Sequence, residues 1–193
     1  MAEITLTYTL LLQPSPEQAS LLTRTCEAYL HACDLVSRTA RKHRTLKQKE
    51  LNQLTYRENR SRYGLGAQMA QSAIIRVISN YRTIRENQGS PWNTRHAPRY
   101  TSAGYDLVWN RDYSLLKDGR LSLNTLQGRI KLPVDWTHIP ENRRKGVYGT
   151  ARLIPPQRQM APVPAHHAHH PRPADTQEHH GRRPGHAIPR RKL

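Results

Sequence analysis

Acidic residues are scarce. Asp and Glu number 14 against 31 Lys and Arg, leaving a net charge of +17 before any histidine protonates. An excess that large excludes a neutral, self-compensated surface. Its natural counter-surface is a polyphosphate, because each phosphate neutralised by a cation releases condensed counterions and so favours binding. Long apolar runs are missing as well. No stretch approaches the roughly 18 apolar residues that a spanning helix requires. No charged segment precedes an apolar run at the N-terminus, so the expectation is a soluble, cytoplasmic chain with no membrane partner. Cysteine is reduced to Cys26 and Cys33. Their spacing fits neither a zinc CxxC pair nor a thioredoxin-like redox pair. On a helix it places both on one face two turns apart, which reads as two small core hydrophobes.

What is present falls into three zones. Residues 3–12 alternate, with Ile4, Leu6, Tyr8, Leu10 and Leu12 on one side and threonines opposite, the period of a half-buried strand. Ser15-Pro16-Glu17-Gln18 then carries the signature of a helix start, with Ser15 as cap, Pro16 in the first turn and Gln18 closing a capping box. Leu22, Cys26, Tyr29, Cys33, Val36 and Ala40 recur behind it at steps of three and four, an amphipathic helix. That helix is expected to dissolve into a cationic stretch. A second capping box, Thr45 to Gln48, predicts a helix through Leu51 and Leu54. Gly64 and Gly66 break it. A third helix, carrying Met69, Ala73, Ile74, Val77, Ile78 and Tyr81, runs to about Arg85 and stops at Gly89-Ser90-Pro91. From Pro98 the texture changes to short strands at 106–109, 113–116, 120–123, 129–132 and 146–153. Asp118-Gly119, the dipeptide favoured in type I′ turns, and Gln127-Gly128 join the middle ones.

The fold class is therefore α+β. A helical unit (14–97) is inserted after the first strand (1–13) of a small, incomplete antiparallel β-barrel (98–154). Residues 155–193 hold eight of the 14 prolines and seven of the 11 histidines with no aromatic residue, a composition that cannot offset its ordering entropy and predicts disorder.

The order of these pieces resembles the OrfB/TnpB-type insertion-sequence transposases, RNA-guided nucleases related to type V CRISPR effectors. TLTYTLLLQPSPEQASLLTRTCEAYLHACDLVS is similar to that family's first strand, turn and first helix. GLGAQMAQSAIIRVISNYRTI is similar to its later recognition-lobe helix. PRYTSAGYDLVWNRDYSLLKDGRLSLNTLQGRIKLPV and KGVYGTARLI are similar to its barrel strands. The resemblance implies a helical unit and barrel that grip guide RNA and target DNA, with cleavage assigned to a later RuvC-like domain. Two-metal hydrolysis needs clustered acids, and after Leu153 only Asp175 and Glu178 occur. The resemblance thus implies a chain truncated or frameshifted after about residue 153, binding without cutting, with no catalytic residues, no metal site and no cofactor. The tail also reads as a shifted-frame translation: a one-nucleotide shift lets Gln159-Met160 become Arg-Trp, as the family's next strand would have it.

The residues expected to meet RNA or DNA are Arg38, Arg41, Lys42, Arg44, Lys47 and Lys49 in the cationic stretch, extended by Arg57, Arg60 and Arg62. Gln68 and Gln71 sit at the start of the target-reading helix, where Gln can read adenine edges. Trp92 and Tyr100 flank an irregular link that carries Arg95, His96 and Arg99, and these either stack on a nucleotide or anchor the link. Arg129 and Lys131 alternate along one strand and point outward together. Three other readings remain: a regulatory fragment that competes with full-length transposase for RNA or DNA, a metal-binding or interaction protein built on His166, His167, His169 and His170, and an enzyme whose catalytic half is supplied by another chain or by a programmed frameshift. A disordered run rarely preorganises ligands, which weighs against the second.

Overall fold

In a computed structural model, residues 7–102, 104–141, 144 and 148–155 are described. The Pro- and His-rich segment, with its expected disorder and its histidines, lies outside them, as do Ile4 and Leu6. Three helices follow a short strand, and small open antiparallel sheets follow the helices, an α+β arrangement.

The first helix, α1 (Pro16–His43), starts as its sequence dictates. The Ser15 hydroxyl accepts the Gln18 amide, and the Gln18 side chain accepts the Ser15 amide in return. Leu22, Cys26, Tyr29, Cys33, Val36 and Ala40 are all buried, so the stripe read from periodicity is the core face. The helix does not dissolve at Arg38. It holds to His43, because Arg41, Lys42 and His43 in its last turn face the negative end of the helix dipole.

The turn into α2 (Gln48–Tyr63) also departs from expectation. Arg44 adopts a left-handed conformation (φ 48°, ψ 42°), and the Thr45 amide is spent on the Ala40 carbonyl. Thr45 therefore sits two residues ahead of the N-cap position, which Lys47 occupies, and no capping box forms. The Thr45 hydroxyl instead accepts the Lys47 amide and donates to Glu50. The buried positions of α2 are Leu51, Thr55 and Asn59, a stripe of strict four-residue steps. Leu54 falls off that stripe and is exposed. Gly64 at φ 65° ends α2, and Gly66 precedes α3 (Ala67–Gln88). Met69, Ala73, Ile74, Val77, Ile78 and Tyr81 are buried there.

Tyr29 lies beside Arg76 and Ser37 beside Tyr81, so α1 and α3 run in the same direction. The His31 and Tyr63 rings stack at 6.2 Å, so α2 runs back between those ends. All three C-terminal turns and N-terminal corners are thereby sorted onto two ends of the helical unit.

The strands make three small antiparallel sheets. Leu11–Leu12 (β1) pairs with Val134–Asp135 (β6), Tyr105–Leu107 (β2) with Ala151–Leu153 (β7), and Tyr113–Leu115 (β3), Leu121–Thr125 (β4) and Gly128–Leu132 (β5) form a meander. The first strand does join the later ones, with the helices inserted between, and β6 was not anticipated. The sheets do not close among the described residues. The Asp118-Gly119 turn is not type I′: Gly119 has φ 81° but Asp118 stays at negative φ, so a type I turn followed by a left-handed glycine joins β3 to β4. One core spans helices and sheets, from Leu22 through Tyr29 and Tyr81 to Tyr105, Leu123, Leu132 and Leu153.

Arg76 ties the two layers together. Its guanidinium sits 5.7 Å from the Tyr29 ring centre and 5.4 Å from that of Tyr100, and donates to the Gly104 carbonyl. Gly104 itself has φ 129°, and a Cβ there would lie 2.3 Å from the Leu153 carbonyl oxygen. Gly104→Ala should lower stability by at least about 2 kcal/mol in urea unfolding, combining left-handed strain with a backbone clash that no rotamer relieves. Burial pushes both cysteine thiols up to about 12. Neither should react with a disulfide reagent at pH 8 in the folded protein, and both should react once urea unfolds it.

Candidate nucleic-acid interface

The parallel course of α1 and α3 gathers cations at one end of the helical unit. Arg38, Lys42, His43 and Arg44 come from the end of α1, and Lys47 and Lys49 from the start of α2; all are exposed. Arg82 and Arg85, on the last turns of α3, are exposed at the same end. Sequence reading passed over this pair; their place one and four residues beyond the buried Tyr81 was the available signal.

Arg95, His96 and Arg99 reach the same region through the link that follows α3, which is strapped to α1. The Arg41 guanidinium donates to the Thr94 hydroxyl at 2.8 Å and to the Arg95 carbonyl at 3.4 Å. The Ser37 hydroxyl donates to the Pro98 carbonyl at 2.7 Å, and Asp34 accepts the Tyr100 amide at 2.8 Å. Arg41 is thus a fastener rather than an open contact. Ion pairs among the described residues are Arg62–Glu58, Arg120–Asp118 and Arg152–Asp106. None involves the cations of this end.

The other expected contacts lie elsewhere or are already engaged. Arg57, Arg60 and Arg62 are at the far end of α2, where Arg60 donates to the Tyr56 hydroxyl and Arg62 pairs with Glu58 at 2.9 Å. The Gln68 and Gln71 amides already have partners within the chain. Gln68 accepts from Arg111 at 3.0 Å and donates toward Ser72, and Gln71 donates to Asn52 at 2.9 Å. Arg129 and Lys131 are both exposed on β5, as their alternation requires. The Arg129 guanidinium, however, is committed to Ser114, Ser122 and the carbonyls of Asn110 and Arg111, and so pins the meander to the turn before it. Trp92 packs on Tyr81 at 5.4 Å and Tyr100 is buried, so both rings anchor the link. Tyr29 and Tyr81 are core residues.

No protein-family model, curated protein or solved structure matches the chain.

Arg44 is one of two non-glycine residues at positive φ among the described residues. Helices that end in a left-handed residue commonly place glycine there. Arg44→Gly should gain up to about 1 kcal/mol in urea unfolding, because it relieves that backbone cost while removing a charge.

Proposed function

We propose that the chain is a nucleic-acid-binding protein of the transposase type it resembles, holding RNA or DNA by its phosphates and not cutting it. The observation that carries this reading is the cationic end of the helical unit, whose cations make no ion pair among the described residues. Helix stability accounts for only part of it. Arg41, Lys42 and His43 at the end of α1 and Arg85 at the end of α3 suit the local dipole, each by roughly 0.3–1 kcal/mol. Lys47 and Lys49 stand at the start of α2, where the dipole disfavours a cation. Arg44 occupies a strained backbone site. Charges kept against local stability are explained by a partner that needs them.

Fluorescence anisotropy with labelled 20-nucleotide RNA and DNA over a salt series tests the reading. Affinity should fall steeply with salt, and Lys42→Ala/Lys47→Ala/Lys49→Ala should weaken binding and flatten the log–log slope by about 2–3, one phosphate per lysine. Absence of binding at low salt, an unchanged slope in the triple variant, or nicking of DNA by the purified chain with magnesium would refute it.

A further inference from the structure

We propose that the cleft between α1 and the strapped link is a phosphate site sized for one nucleotide unit; this rests on reading the cationic end as the nucleic-acid face. The cleft is about 400 Å³ and is lined by Asp34, Arg38, His96, Ala97, Pro98 and Arg99. That volume lies near the small end of ligand-sized cavities, roughly 300–1,000 Å³, so it takes a single sugar-phosphate rather than the side of a duplex.

Its walls are held in place before any ligand arrives. Asp34, Ser37 and Arg41 lie three and four residues apart on one face of α1, and each bonds the link: at Tyr100, at Pro98, and at Thr94 and Arg95. Ser37 is itself buried and fixed from behind by the Tyr81 hydroxyl. A link bonded at three points along that face is held against α1, so Arg38 on α1 and Arg99 on the link line a common space at little ordering cost. Guanidinium groups match phosphate oxygens through paired N–H donors, and His96 adds an imidazole at the rim. The opposing charge is Asp34, whose carboxylate is partly spent on the Tyr100 amide. Two arginines against one engaged carboxylate leave a net positive cleft, and a dianionic phosphomonoester draws on it more strongly than a singly charged diester.

Calorimetry of the full chain with ribose 5-phosphate tests the cleft directly. One saturable site is expected. Arg38→Ala/Arg99→Ala should weaken it at least about tenfold, a loss of about 1.4 kcal/mol. Arg24→Ala/Lys117→Ala removes the same charge from exposed positions outside the cleft and should stay within about twofold. Asp34→Asn should tighten binding several-fold, since it deletes the opposing charge yet keeps an acceptor for the Tyr100 amide. No saturable site, equal losses in the two double variants, or weaker binding in Asp34→Asn overturns the proposal. Oligonucleotides ending in 5′-phosphate or 5′-hydroxyl then identify the source. A preference for the former assigns the cleft to strand ends; equal affinity that Arg38→Ala/Arg99→Ala lowers for both assigns it to internal phosphates. Oligonucleotide binding indifferent to that double variant rejects the cleft while leaving the general reading intact. Binding of ribose 5-phosphate without oligonucleotide binding does the reverse.

Discussion

The apolar stripe of α1 must be buried, and α3 supplies the surface that buries it. Tyr29, Ala32, Cys33, Val36 and Ala40 on one helix and Met69, Ala70, Ala73, Val77 and Tyr81 on the other are nearly inaccessible to water. Full burial of a large side chain contributes about 1.5–3 kcal/mol, so this seam outweighs any single polar contact in the molecule. The small residues in both stripes let the helices approach closely, and the Ser37–Tyr81 hydrogen bonds fix their stagger. Everything at the basic end follows from that stagger. It sets where α1 stops relative to α3, and hence where the link leaves α3 and returns along α1.

Periodicity made the seam legible. Every apolar residue assigned to the α1 and α3 stripes is buried, and the start of α1 matches its capping sequence. What periodicity could not show was set by tertiary geometry. The second capping box fails because Arg44 turns the chain early and commits Thr45 to another bond. Leu54 is apolar but one step off a stripe that keeps strict fours. The meander turns depend on which residue of a pair takes positive φ, a choice the dipeptide alone does not fix.

Charge was the least legible property, because composition counts cations without saying what each one does. Arg76, half-buried between two tyrosine rings, holds helices to strands. Arg129 staples a hairpin, Arg41 straps the link, and Arg144 donates to the carbonyls of Trp136 and Ile139. These arginines belong to the architecture although the sequence presents them no differently from Arg38 or Arg99. Planar guanidinium groups with several donors suit carbonyl-rich junctions, so part of the basic character of the chain is architectural. Lysine is the better guide to an open surface here: Lys42, Lys47 and Lys49 are exposed at the basic end.

The pairing of Leu11–Leu12 with Val134–Asp135 bears on how the chain is made. More than a hundred residues separate the partners, while α1, α2 and α3 pack against near neighbours in the chain. At a synthesis rate of about 5–20 residues per second, the first strand leaves the ribosome many seconds before its mate exists. The three helices can settle in that interval, and the waiting strand, with Leu10 and Leu12 seeking cover, is held close by its short tether to Ser15. The pairing that waits longest for its mate is thus one whose first half was synthesised earliest, and the helices act as the scaffold on which the first strand meets the later ones.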